Sequence, residues 1–336
     1  MRGPKILRTL NVKGFDSRFL DLPDYILKIT EEIWESRGLA TLRHYYAPDI
    51  AMRMPLGTAV GNERVINDTM ATIAEFPDRQ LLGEDVIWSG DDQLGFLSSH
   101  RVLSTGTHTG FGSFGPPTGR RFTVRAIADC AAKDNVIYDE WLTRDASAIA
   151  LQLGIEPSSH ARTLIEREND SRASRRAAAP EANVHDRYTG RGNDNPWGHR
   201  LADILAHLMN KDFAVVTREY DRAIRIEHPG LRTGWGRPYA DMVWLQLRSA
   251  FPGARFEVHH VIGREDANQP IRAAVRWSLA GNHDGVGLFG EPTNAPVQFM
   301  GITHAEWGPW GLRREFTVFD EIAIWKQIHL HTGSHG

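Results

Sequence analysis

GTHTGFGSFGPPT (residues 106–118) and GNHDGVGLFGEPT (residues 281–293) are one pattern written twice, 175 residues apart. Gly106, His108, Gly110, Gly112, Phe114, Gly115, Pro117 and Thr118 return as Gly281, His283, Gly285, Gly287, Phe289, Gly290, Pro292 and Thr293. Chance agreement over such a string is remote, so the chain is read as a tandem repeat. The same offset carries Glu140, Asp145, Ala148, Ile149 and Gln152 onto Glu315, Asp320, Ala323, Ile324 and Gln327. Upstream, Phe76-Pro77 returns as Phe251-Pro252, Gly61 as Gly236, and Arg43 and Tyr45 as Arg218 and Tyr220. The period divides the chain into an extension (1–19), a first domain (20–154), a linker (155–194), a second domain (195–328) and a tail (329–336). The linker is rich in Arg, Ala, Ser and Asn. Its segment 161–179 could form a charged helix, but the simpler reading is a solvated connector.

Each unit opens with apolar residues at helical spacing: Ile26, Ile29, Ile33 and Trp34 in the first, Leu201, Ile204, Leu205 and Leu208 in the second. A second helix follows through Val65, Ile66, Met70 and Ile73, or Met242, Val243 and Leu247, and Phe-Pro ends it. The period then changes from 3.6 to 2. Residues 82–90, 94–110, 121–132 and 135–145 read as strands, as do 255–264, 271–283, 297–307 and 312–322. Helices followed by a run of strands predict an α+β fold. Two tandem cone-shaped domains are expected, each a curved antiparallel sheet wrapped around its N-terminal helices. The clustered glycines mark sites where bulges and sharp bends are cheap. An incompletely filled cone is a pocket.

Bulk properties narrow the function. The 336 residues are 41% hydrophobic and 24% charged, as in a soluble globular protein of two domains. A net charge of −3 leaves no nucleic-acid footprint. No stretch reaches the roughly 20 apolar residues of a membrane span, and no signal peptide is read at the N-terminus. Cys130 is the single cysteine, which excludes an internal disulfide and a cysteine metal cluster and fits a cytoplasmic setting. No Gly-x-Ser-x-Gly elbow or Walker loop is present. Gly110-x-Gly112-x-x-Gly115 matches a dinucleotide string but lacks a following helix.

Residues 106–110 (GTHTG), 115–122 (GPPTGRRF), Glu140-Trp141, Asp145 and 152–154 (QLG) resemble the SnoaL-like polyketide cyclases, or ester cyclases, of the nuclear transport factor 2-like superfamily. His283, Pro292-Thr293, Glu315, Asp320 and Gln327 extend the resemblance to the second unit. It implies a cone that holds a small hydrophobic or polyketide-like molecule without metal or cofactor. A carboxylate inside the cone would move a proton beside a carbonyl. Superfamily members dimerise through their sheets, so the two units are expected to form an intrachain pseudo-dimer, with a homodimer as a further assembly. The cyclase Asp position falls on Leu142 and Thr317, and a cyclase Gln/His pair falls on Ala126 and Ala128, and on Gly301 and Thr303. A polar Asn falls near Met52. That cyclase apparatus is missing from both units.

Glu140 and Glu315 are the remaining acid–base candidates, two residues before the lost Asp position and so on the same strand face. Burial in an apolar cone would raise their pKa toward neutrality. The alternative is a rim carboxylate paired with Arg125 or Arg314. His108 and His283 could relay protons or could organise the glycine-rich segment. Asp145 and Asp320 are catalytic candidates whose simpler use is to cap a helix. His304 and Glu306 form a relay or a surface pair, and His228, His259 and His260 add polar groups to the second unit. Its many tryptophans line a pocket or pack a core. His329, His331 and His335 faintly resemble a metal tract. Three functions stay open: a cofactor-free cyclase, isomerase or lyase, a noncatalytic binder, or one catalytic unit beside a structural one.

Overall fold

In the computed structural model, residues 13–91, 93–170 and 187–333 are described. Helix α1 (Leu22–Trp34) starts where the Asp21 carboxylate accepts from the Asp24 amide at 2.8 Å, and it buries Tyr25, Ile26, Ile29 and Ile33. A short helix α2 (Leu42–Tyr45) leads into strands β1 (Tyr46–Met54) and β2 (Gly57–Val60). Helix α3 (Asn62–Glu75) ends at Phe76-Pro77 as expected. Strands β3 (Gln80–Asp91), β4 (Gly95–Thr107), β5 (Arg121–Lys133) and β6 (Val136–Arg144) follow, and α4 (Ala146–Leu153) closes the first unit. A connecting helix, α5 (Pro157–Asp170), leads toward the second unit.

The second unit repeats the order: α6 (Pro196–Met209), α7 (Ala214–Glu219), β7 (Tyr220–His228), β8 (Arg232–Trp235), α8 (Arg237–Ala250), β9 (Arg255–Arg264), β10 (Ile271–Asn282), β11 (Pro296–Gly308), β12 (Gly311–Val318) and α9 (Glu321–Thr332). Among the described residues no helix is long and apolar enough to cross a membrane.

The fold is α+β with two six-stranded sheets, ordered β2-β1-β6-β5-β4-β3 and β8-β7-β12-β11-β10-β9. Each sheet is mixed rather than wholly antiparallel, because β1 lies parallel to β6 and β7 parallel to β12. Periodicity misses β1 and β7. In β1 two exposed residues, Pro48 and Asp49, are followed by a fully buried run, so nothing alternates. The parallel pairing also re-registers the repeat. Tyr46 stands opposite Ile137, and Tyr220 stands opposite Leu312, so Tyr220 corresponds to Tyr46 and not to Tyr45. One extra residue in the β7–β8 turn restores the 175-residue offset afterwards.

The glycine-rich segments are loops after β4 and β10, not bulges within a strand. They lie against the C-terminal ends of α3 and α8. A Cβ on Gly110 would come within 1.9 Å of the Ala74 carbonyl oxygen, and one on Gly285 within 1.9 Å of the Ser249 oxygen. Close approach of backbone to backbone is what requires glycine there.

The connector is not simply solvated. Ala161 and Ile165 of α5 are buried, Ala161 in a cluster with Ala150 of α4 and Ile322 of α9, and His160 stacks on Phe114 at 4.7 Å. Spacing of i, i+4 puts both apolar residues on one helix face. The part of the 161–179 segment beyond Asp170 lies outside the described residues.

The outward faces of the two sheets meet. Ile87, Leu97, Ala131 and Trp141 share an apolar cluster with Ile262, Ala274 and Met300. Buried charges cross the same contact: Arg276 Nε lies 2.9 Å from Asp129 Oδ2, and Arg272 pairs with Asp85. Removing one partner of a buried pair strands the other, so Arg276→Met is expected to destabilise the chain by about 3 kcal/mol. Urea unfolding of Arg276→Met and of Arg276→Met with Asp129→Asn tests this; the double variant should recover part of the loss.

Candidate active site

In the first unit, α1 and α3 cover the concave face of β4, β5 and β6 and leave a cavity of about 110 Å³. Its walls are largely apolar, from Ile26, Ile29, Ile33, Val102, Ala126 and Ala128. Groups able to carry or move charge also face it, among them Tyr46, Asp68, Arg79, His100, Glu140 and Arg144.

Glu140 comes from β6, between Met52 of β1 and Cys130 of β5, and is 5% exposed. The Tyr46 hydroxyl donates to its carboxylate. Burial pushes the Glu140 pKa up to about 7, although the Tyr46 hydrogen bond and the Arg144 charge oppose the rise. Near neutral pH this carboxylate is therefore present in both protonation states. Leu142, two residues on, faces the same cavity without a polar group.

His100 of β4 stands opposite Ala128, with Nδ1 3.3 Å from Ser98 Oγ. Burial lowers its pKa to about 4, so it is a neutral imidazole at pH 7. Arg79, just after α3, packs its guanidinium against Trp34 at 5.2 Å and donates from Nε to Ser104 Oγ at 3.1 Å. Arg144 closes β6 and its Nη2 lies 3.6 Å from Met54 Sδ.

The second unit uses the same positions differently. Thr69 and Val102 line the first cavity, and their counterparts are Trp244 and Trp277, both fully buried. Trp277 occupies the space above Gly301, where a Cβ would come within 2.2 Å of the indole. Glu315 is fully buried and its oxygens are taken up: Tyr220 Oη donates at 2.5 Å, Trp244 Nε1 at 3.1 Å and Thr317 Oγ1 at 3.3 Å, with His228 Nε2 at 3.1 Å. Glu140 and Glu315 thus share a strand position and a tyrosine but not an environment. Arg125 pairs with Glu84 and Glu227, and Arg314 with Glu306, rather than with either of them.

The other sequence candidates lie elsewhere. His108 is buried beneath the glycine-rich loop, with Nδ1 3.2 Å from Thr118 Oγ1 and Nε2 3.6 Å from Glu75 Oε1. His283 repeats the threonine contact, 3.0 Å to Thr293 Oγ1. Neither is part of the cavity wall. Asp145 caps α4 through the Ala148 amide and also accepts from the Gly230 amide of the second unit at 3.0 Å. Asp320 caps α9 through the Ile322 and Ala323 amides. Burial raises the pKa of Asp145 to about 6 and of Asp320 to about 7.

His304 and Glu306 share a face, as alternation requires, but they are buried against the first unit and are not a surface pair. His304 Nε2 lies 2.8 Å from Ser99 Oγ, and Arg101 Nη2 lies 3.3 Å from Glu306. His259 and His260 are held by Ser278 and Tyr188. His329 is buried against Ser158, His331 is exposed, and His335 lies outside the described residues. Among the described residues no three His, Cys, Asp or Glu side chains are grouped to hold a metal.

Tyr46, Arg79, His100 and Arg144 escape a search for recurring residues because three of them do not recur. Their places in the second unit are taken by Tyr220, Ala254, Val275 and Phe319. A polar residue in one copy facing an apolar residue in the other was the available signal.

Residues 25–153 match the family model described as SnoaL-like polyketide cyclase. Among solved structures, IdmH from Streptomyces antibioticus is 27% identical, covers 40% of this chain and 98% of its own, and has a TM-score of 0.35. TsrD from Streptomyces laurentii is 21% identical, covering 40% and 92% with a TM-score of 0.34. A SnoaL-like polyketide cyclase from Agrobacterium tumefaciens is 23% identical, covering 38% and 94% with a TM-score of 0.30. No curated protein matches the chain.

Proposed function

With its first unit a SnoaL-like polyketide cyclase domain, we propose that this protein is a general-base enzyme whose first cavity works and whose second unit is a structural partner. Glu140 takes a proton from the carbon beside a carbonyl of a small, largely apolar molecule. The electron pair moves onto the carbonyl oxygen, and the neutral His100 imidazole on the cavity wall supplies an N–H donor for the developing oxyanion. The resulting enolate is then reprotonated elsewhere, expels a leaving group from the β-carbon, or attacks a second carbon, which gives isomerase, lyase or cyclase outcomes respectively. Leu142 stands at the cyclase Asp position, so the proton-moving group is placed one pleat earlier than in the cyclases this unit resembles. The two units, divided as 20–154 and 195–328, pack as an intrachain pseudo-dimer in this reading.

One observation carries the proposal: a carboxylate 5% exposed, with a pKa of about 7, on the wall of an apolar cavity. A poorly hydrated carboxylate of that pKa suits proton abstraction at neutral pH. His108, His283, Glu315, Asp145 and Asp320 take no part in this step.

A chromogenic probe tests it without knowledge of the natural substrate. 5-Nitrobenzisoxazole opens to 2-cyano-4-nitrophenolate when a base removes its C3 proton and the N–O bond breaks. The rate is expected to rise through about pH 7, as Glu140 loses its proton. Val102→Trp combined with Ala126→Gly copies Trp277 and the glycine facing it, Gly301, into the first unit and should abolish the reaction while the chain stays folded. A rate indifferent to both pH in this range and cavity filling would remove the proposed site. Saturable binding of the probe without ring opening would favour a noncatalytic binder, a reading supported by the missing cyclase residues.

A further inference from the structure

We propose that the first cavity takes a carboxylate-bearing molecule, its anionic group held between Arg79 and Arg144. This deepens the general-base reading by naming a substrate class, and it rests on that reading only for the choice of cavity.

Arg79 is 4% exposed, yet among the described residues it has no carboxylate within ion-pair distance. Its contacts are one serine hydroxyl and the rings of Trp34, Phe122 and Phe76. Arg144 has only the Met54 sulfur. The other buried arginines are satisfied. Arg53 pairs with Asp139, Arg101 with Glu84 and Glu306, Arg272 with Asp85 and Arg276 with Asp129. Arg248 donates to the carbonyls of Met209, Phe251, Pro252 and Ala254. A buried guanidinium without an anion is costly, and here buried Arg79 and half-buried Arg144 face one hollow.

The groups nearby do not neutralise them. Glu75 acts on Arg79, and Asp320 and Asp68 on Arg144, only at longer range: Glu75 accepts from Ser113 and the Phe114 amide, Asp320 caps α9, and Asp68 is 3.0 Å from Arg64. Glu140 is the remaining acid on the wall, and it is held partly protonated. Loss of solvent, with repulsion from Arg144, pulls Arg79 down to about 9, and loss of solvent lowers Arg144 as well.

Nor does the fold require the charges. The second unit, with the same strands and helices, has Ala254 and Phe319 at these two places, and both are buried. A cation kept at both positions of the hollow copy and at neither of the packed one is placed for a ligand. Two guanidinium groups match the oxygens of one carboxylate, with the apolar walls left for the rest of the molecule.

The test uses the full chain with 2-naphthoate and its uncharged amide, 2-naphthamide, as probes, followed by calorimetry. The acid is expected to bind at least about 10-fold more tightly than the amide, as one charge-assisted hydrogen bond would give. Arg79→Met and Arg144→Met should each erase that preference while leaving amide binding nearly unchanged. Arg79→Lys should keep part of it. Glu140→Gln should keep the preference, so loss of base chemistry and loss of anion selection are separable results. If Arg79→Met does not fold, the less enclosed Arg144→Met carries the comparison. Equal binding of acid and amide, binding of neither, or a preference that survives both arginine variants overturns the proposal. Tighter binding of 2-naphthyl phosphate than of 2-naphthoate overturns the choice of carboxylate.

Discussion

Glu140→Gln should slow ring opening of 5-nitrobenzisoxazole by about 10²–10⁴-fold, the usual contribution of a positioned general base. Glutamine keeps the size of the side chain and can still accept from Tyr46, but it cannot take a proton. The same substitution should make the protein more stable at pH 8. Burial raises the folded-state pKa of Glu140 from the ordinary 4.5 to about 7. The folded chain therefore binds more protons than the unfolded chain between these values. Stability is lost as pH rises through that window, and the loss is complete above about 7. Glu140→Gln removes that loss. Its advantage at pH 8 is on the order of 2–3 kcal/mol, shrinking to little below pH 4.5. Thermal melts of wild type and variant at pH 5 and pH 8 read the difference. A variant that keeps its rate, or one that melts alike at both pH values relative to wild type, counts against Glu140 as the base. At Glu315 the opposite is expected. A glutamine there would turn an NH2 toward a pocket of donors, Tyr220, Trp244 and Thr317. The cost falls on stability, and turnover by the folded protein should be unchanged.

Trp277→Val should destabilise the chain by about 3–5 kcal/mol, the range for removing a large aromatic from a packed core. The indole is fully buried, donates from Nε1 to Thr303 Oγ1 at 3.0 Å, and packs against Phe256 and Phe319. Valine is what the first unit carries at this position, so the substitution recreates one wall of the first cavity in the second. It does not recreate a site, because Ala254, Val275 and Phe319 still stand where Arg79, His100 and Arg144 would be needed. The expected result is a lower unfolding midpoint with no second binding event for 2-naphthoate. A variant as stable as wild type would mean that the second cone is looser than its hydrogen bonds and packing indicate.

The sequence makes the duplication, the α+β class and the main strands legible, because a repeated glycine string and alternating residues report backbone geometry directly. It also points to Glu140, through strand alternation. It does not reveal β1, whose buried run has no period, and so it misaligns Tyr45 with Tyr220 and overlooks Tyr46. Nor does it separate His108, which braces a loop, from His100, which faces the hollow: recurrence singles out the first, repeated as His283, and passes over the second, replaced by Val275. What distinguishes them is depth and direction, and those arise only when the sheet curves. Arg79 and Arg144 are similar. As sequence they are two of many arginines. Their significance comes from the carboxylates or carbonyls that hold the other buried arginines and are missing around these two.

A dimer of identical chains is bound by symmetry: whatever one partner gives up, the other gives up as well. Joining both copies in a single polypeptide removes that constraint. One half is then free to surrender its hollow to tryptophan and become a rigid anvil, while its twin keeps an empty, charged and thermodynamically expensive interior. The solid core of Trp244 and Trp277 is what the proposed division of labour would leave behind.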